Sequence, residues 1–358
     1  MHRCLGVCGG LLAVSLMASP ALGQAPAPAA PDVRDMEAVL VTGVQPGPGM
    51  WRVRNAAGHT LYILGTQSPL PADMTWRADD VRDVLSRAGA VLGPPGAQMG
   101  ADIGFFGRLA LAPAAFRAMR NPDGATLDEL LPPDLYQRWA ALKQRYVGRD
   151  RGMERGRPFI AVYQLYRAAL EKNGLAEGGI VGPVIQDVLK ARGMEATPTL
   201  VSIQVEDPRA ALRTFRAETL KPEDLDCVRG TLDIIERDLP RVAARANAWA
   251  VGDLEALRTM EDAQAQVTAC LSAWTASRTA QQLGLRDIQA QVETRWLTAV
   301  DEAMATHETV FASMPIDGLL KPEGYLSRLR ERGYTVLTPD APEDDDALSA
   351  DAAGAADD

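Results

Sequence analysis

The chain has 358 residues, 47% of them apolar, and a formal net charge of −10. A body of that size can bury a large core, as one domain or two coupled lobes. Much of the acidity is local: "APEDDDALSADAAGAADD", Ala341 to Asp358, holds seven acids and no base. The remainder reads as lacking a basic patch suited to a phosphate backbone, which argues against nucleic acid as a partner.

The opening, "MHRCLGVCGGLLAVSLMASPALGQ", joins a basic start at His2-Arg3 to an apolar run from Leu5 to Met17 and small residues at Ala21 and Gly23. That pattern predicts a signal peptide over residues 1–23 and a periplasmic or secreted mature chain beginning near Gln24. The run is shorter than the roughly 20 apolar residues of a membrane span, and no later stretch reaches that length, so no transmembrane segment is expected in the mature chain. Cys4 and Cys8 leave with the signal. Cys227 and Cys270 remain, and an oxidising compartment predicts a disulfide between them, with two buried thiols as the other reading. Residues 24–35 form a Pro/Ala linker, 36–340 the folded domain, and 341–358 a disordered acidic tail.

Within the domain, Trp51 and Val53 alternate with polar neighbours, the chain turns at Asn55 to Gly58, and Leu61 and Ile63 resume the pattern of a β-hairpin. A helix from Arg77 to Arg87 leads to a buried strand in "AGAVLG". Strand, loop, helix and strand make a βαβ unit, which places the loop from Gly65 to Pro71 at the carboxyl end of a strand, where open α/β sheets bind ligands. Helices follow over Phe105 to Met119, Pro133 to Tyr146 and Pro158 to Lys172, then a helix ended by Gly193 and a strand from Thr199 to Val205. From Leu225 to Trp249 apolar residues recur at helical spacing, with Pro240 expected to break or kink the helix. A long helix from Leu285 to Ala305, a strand from Thr309 to Ser313, the helix "PEGYLSRLRER" stopped by Gly333, and the strand "YTVLTP" complete the domain. The fold class is therefore α/β, a βαβ-type central sheet flanked by helices with a large helical middle section.

The hairpin entering "YILGTQSPLP", the pair "VRDVLSRAGAVLG", the segment "ANAWAVGDLEAL" and the ending "FASMPIDGLLKPEGYLSRLRERGYTV" together resemble the TraB/GumN family, related in fold to the Tiki metalloproteases and the erythromycin-esterase/ChaN-like group. The resemblance implies a metal site built from a Gly-Thr-x-His loop, a glutamate ending the next strand, and a late Gly-x-x-His. Here Gly65-Thr66-Gln67 leads to Ser68 in place of the first histidine; the glutamate falls on Gly93 or Pro94, and the late pair on Pro315 and Gly318. Glycine and proline have no ligating side chain, and a serine hydroxyl is a weak ligand beside imidazole. Two further family positions fall on Val292-Glu293 before Trp296, and on Val201.

Other residues offer little replacement. His59 and His307 read as surface or capping histidines, Ser68 lacks the signature of an activated nucleophile, and Asp317 with Glu323 would need a third ligand. No catalytic residue, metal ligand or cofactor is predicted. The favoured function is a degenerate, non-catalytic binding or regulatory module whose cleft takes a peptide or small molecule. The alternative is a metal-dependent hydrolase or peptidase with a divalent metal on substituted ligands.

Overall fold

Alternation of Trp51 and Val53 with polar residues does build a hairpin. In the computed structural model, which describes residues 40–260 and 287–342, a short strand β1 (Val44–Gln45) precedes β2 (Met50–Arg54), which pairs antiparallel with β3 (Thr60–Thr66), Arg54 facing Thr60 across the turn. Trp51, Val53, Leu61 and Ile63 are all buried. Asn55 closes the turn, its side-chain oxygen accepting from the backbone N–H groups of Ala57 and His59.

Two short strands, β4 (Leu70–Pro71) and β5 (Thr75–Trp76), lead to α1 (Asp79–Arg87) and β6 (Ala90–Leu92), after which β7 (Gly96–Gly100) runs into α2 (Phe105–Ala118). The helical middle contains α3 (Leu127–Leu130), α4 (Pro133–Tyr146) and α5 (Pro158–Lys172), then β8 (Leu175–Ala176), α6 (Val181–Arg192), β9 (Leu200–Gln204) and α7 (Pro208–Ala217). Proline opens α4 and α5, where its missing N–H costs nothing, and Gly193 ends α6 in the left-handed conformation at φ 63°.

The apolar stripe from Leu225 to Trp249 is divided as expected, though the break lies ahead of the proline. Helix α8 (Pro222–Asp233) widens into a π turn at Ile234–Asp238, and α9 (Leu239–Val251) restarts with Pro240 in its first turn. Helix α10 (Leu254–Thr259), the long α11 (Ile288–Thr306), β10 (Thr309–Pro315), α12 (Ile316–Leu320), α13 (Tyr325–Glu331) and β11 (Thr335–Leu337) follow.

The main sheet has the order β11-β2-β3-β10-β6, with β10 parallel to both β3 and β6. The βαβ unit of β3, α1 and β6 is thus spread by one position, because the late strand β10 enters between its two strands. Separate two-stranded sheets pair β1 with β5, β4 with β8, and β7 with β9. The protein is an α/β fold with mixed sheets and a large helical region. The core holds Trp51, Trp139, Trp249 and Trp296, each under 2% exposed. The described residues belong to one compact unit, and no helix among them is long and apolar enough to cross a membrane.

The expected disulfide joins Cys227, on α8, to Cys270, which lies outside the described residues. The signal peptide, the linker and the tail from Glu343 onward also lie outside the described residues. The first two positions assigned to the tail carry backbone contacts: the Arg52 guanidinium donates to the carbonyls of Ala341 and Pro342, at 2.9 and 3.0 Å.

Candidate functional site

Three neighbouring parallel strands end at the same edge of the main sheet. Thr66 at the end of β3 pairs with Pro315 at the end of β10, and β6 stops at Leu92 beside them. Loops leaving the carboxyl ends of parallel strands form the usual ligand crevice of an open α/β sheet. A cavity of about 880 Å3 lies here, and the first turns of α6 close its other side. Thr66, Gln67, Ser68, Gly93, Pro94, Pro315 and Gly318 all line it, whereas Gly65 lies one step back within β3. Loops separated by some 250 residues of sequence thus meet in one concavity.

The lining has two characters. Val91, Leu92, Val181, Ile185 and Leu189 make an apolar wall; Gln67, Ser68, Gln186, Gln289, Asp317 and Lys321 bring hydrogen-bonding groups and one charge of each sign. Behind the polar half lies Arg245 on α9, which the sequence reading did not single out. It is 4% exposed, and its guanidinium donates to Gln67 Oε1 at 3.2 Å, to the carbonyls of Leu257 and Met260 at 3.0 and 3.1 Å, and to Asp317 Oδ1. The loop after β3 and helix α12 after β10 are therefore joined through a cation.

Close packing fixes the same loops from below. Trp249 Nε1 donates to the Gly65 carbonyl at 2.8 Å. A Cβ on Gly65 would stand 2.8 Å from Ile316 Cγ1 and 3.0 Å from the Trp51 ring, so only glycine allows α12 to follow β10 this closely. A Cβ on Gly318 would stand 3.2 Å from the Tyr325 ring, which itself packs edge-on against Trp296. Burial, with Glu293 adding to it, pushes the Tyr325 hydroxyl up to about 12. Gly324 is tighter still, since a Cβ there would overlap the Gly318 carbonyl oxygen. Gly324→Ala is expected to destabilise the protein by about 2 kcal/mol, because the obstacle is backbone and cannot rotate away; an unchanged thermal midpoint would contradict this packing.

The donor set does not fit a divalent metal. Zinc-type sites need three or four ligands from imidazole, thiolate and carboxylate. Gly93, Pro94, Pro315 and Gly318 supply none, and the one lining carboxylate, Asp317, is engaged by Arg245. The Thr199 hydroxyl donates to the carbonyls of Gly93 and Pro94, at 2.9 and 2.8 Å, so this loop is held by a neutral side chain. Among the described residues no group of three His, Cys, Asp or Glu could hold a metal ion.

His59 and His307 cannot compensate, since each precedes the start of a strand, β3 and β10, whose far end forms the cleft. Seven residues of strand separate those ends by about 20 Å. His59 Nδ1 instead lies 2.8 Å from the Met304 carbonyl oxygen, and His307 packs on Gly89. Glu323 is exposed and does not line the cavity. Glu293 accepts from Arg328 Nε at 3.1 Å, and Val201 lies within β9.

Neither the comparison with curated proteins nor that with solved structures gives a match. The model of the TraB/PrgY/gumN family matches residues 49–338, from the entry of the hairpin to the last strand of the main sheet, and so takes in every loop of the cleft. The chain belongs to the TraB/PrgY/gumN family.

Proposed function

We propose that the protein is a periplasmic or secreted member of this family that works without catalysis, as a binding or regulatory module whose cleft takes a peptide or small molecule. The observation that carries this reading is Arg245. A buried guanidinium ties Gln67 to Asp317 at the place where the family resemblance implies a metal, and it engages the one carboxylate of the lining. The remaining lining, an apolar wall facing amides, hydroxyls and an ammonium, suits an uncharged or zwitterionic ligand of peptide-like polarity. Hydrolysis on substituted ligands would need a set of donors that the lining does not provide.

Metal analysis of the purified mature protein tests this. Fewer than about 0.1 zinc or manganese ions per chain are expected, against the one or more that a structural or catalytic site would retain. Added zinc should leave the thermal midpoint in place, in wild type and in Ser68→Ala alike. Stoichiometric metal, together with chelator-sensitive peptidase activity that Ser68→Ala abolishes, would overturn the proposal. The same preparation tests the address, since its mass should correspond to a chain beginning near Gln24.

A further inference from the structure

Helices α2 and α7 pack against each other, and their strands β7 and β9 form a parallel pair of their own. Asp207 starts α7, its carboxylate accepting from the Ala210 N–H. Arg157 fixes the other end of the pair. Its buried guanidinium donates to the Ala118 carbonyl at the end of α2 and to the Phe215 and Arg216 carbonyls at the end of α7, lying 4.5 Å over the Phe215 ring. A cation capping two helix termini makes this lobe a rigid platform.

Its outer surface is unusual for a protein with a net charge of −10. Phe105 is 74% exposed, Phe106 81%, Leu109 62%, Phe116 59% and Met119 53%. At roughly 100° per residue, positions 105, 109, 112, 116 and 119 fall within about 80° of arc, a continuous apolar stripe along α2. Arg108 flanks the stripe on one side and Arg117 on the other, while the Arg120 guanidinium lies 4.7 Å over the Phe116 ring. Helix α7 adds Arg209, Arg213 and Arg216, all exposed and spaced to share one face. Neither helix contains an acid; Asp102, Glu206, Asp207 and Glu218 stand at their ends. The sum over the whole chain hides this local concentration of cation.

We propose that the α2–α7 lobe docks on an anionic lipid surface, the apolar stripe entering the acyl boundary and the arginines meeting headgroup phosphates. Helix α2 is apolar nearly all round, so apolar side chains remain outside after its inner face packs on α7, and with arginines beside them they form a surface suited to the boundary between acyl chains and anionic headgroups. Charge decides between occupants. A two-fold contact with a second copy would bring the cluster of Arg108, Arg117 and Arg120 against the same cations of the other copy. The acidic segment Ala341 to Asp358 matches the charge, but with Leu348 as its one large apolar residue it cannot cover the stripe.

The test is vesicle co-sedimentation of the mature chain. Binding at least about tenfold stronger is expected to vesicles of about one part phosphatidylglycerol in four than to pure phosphatidylcholine, falling as salt rises from about 0.1 to 0.5 M. Phe105→Ser with Phe106→Ser, and separately Arg209→Glu with Arg213→Glu, should each lower that binding about tenfold. These are exposed positions, so circular dichroism should match wild type. Equal sedimentation with both lipids, or full binding by the Phe variant, overturns the proposal. So does a concentration-dependent dimer lost in the Phe variant without vesicle binding, which would assign the stripe to a second copy. Preference for a single-stranded oligonucleotide over the mixed vesicles would overturn it equally.

Discussion

Arg245→Ala is expected to destabilise the protein by about 3 kcal/mol, measured as a fall in the urea midpoint with little change in slope. The substitution removes the guanidinium from Gln67, from the Leu257 and Met260 carbonyls and from Asp317. Breaking a buried ion pair from one side costs about 3–5 kcal/mol, mostly through the charge left behind. Here the Asp317 side chain is 29% exposed and regains part of its hydration, which puts the effect at the lower end. Asp317→Ala should cost less, because Arg245 keeps its neutral acceptors. The double variant should fall short of the sum of the singles by more than about 1 kcal/mol, the signature of direct coupling. Additive losses, or a single-variant cost below about 1 kcal/mol, would mean that the arginine does not join the two loops.

Trp249→Ala is expected to cost about 4–5 kcal/mol, the largest single loss in the site. The side chain is fully buried, its ring centroid is 6.0 Å from that of Trp76, and its indole N–H donates to the Gly65 carbonyl. Truncating a buried tryptophan to alanine removes apolar contact and leaves a cavity, worth about 3–5 kcal/mol, and the lost hydrogen bond adds about 1. Trp249→Phe keeps most of the packing and should cost about 2 kcal/mol. Chemical denaturation should therefore order wild type, Phe and Ala in that sequence; Phe and Ala variants of equal stability would deny any role to the ring.

Much of the fold was legible because its signals are local. Alternation at Trp51 and Val53, prolines opening α4 and α5, and glycine ending α6 each act within one turn or hairpin, and those elements lie where the sequence placed them. The insertion of β10 between β3 and β6 was not legible, since periodicity carries no information about which strand becomes a neighbour. Strand β7, "GAQMG", lacks a strong apolar period and is ordered by pairing with β9; helix α7 did leave a signal, Asp207-Pro208 at its start and Arg209, Arg213 and Arg216 on one face, which the sequence reading passed over. Arg245 did leave a signal. It follows Val242 by three positions and precedes Trp249 by four, so a cation sits on the core face of an apolar helix, where a charge needs a partner. The loops of the cleft were located through resemblance, but their joining by that cation emerged only in three dimensions.

The position of β10 bears on how the chain is made. Its pairing with β3 joins residues about 250 positions apart, so the two halves of the main sheet meet only after nearly the whole domain has emerged. Until then β3 and β6 each present an open edge, and open edges invite pairing with other chains. A polypeptide that leaves a ribosome or a translocation pore from its amino end passes most of its length in that state, which makes it a natural client for holding chaperones. Loss of residues beyond about 308 would remove β10, which joins β3 to β6, together with β11 beside β2, and leave unmated edges on all three remaining strands, a product suited to aggregation and proteolysis more than to partial activity.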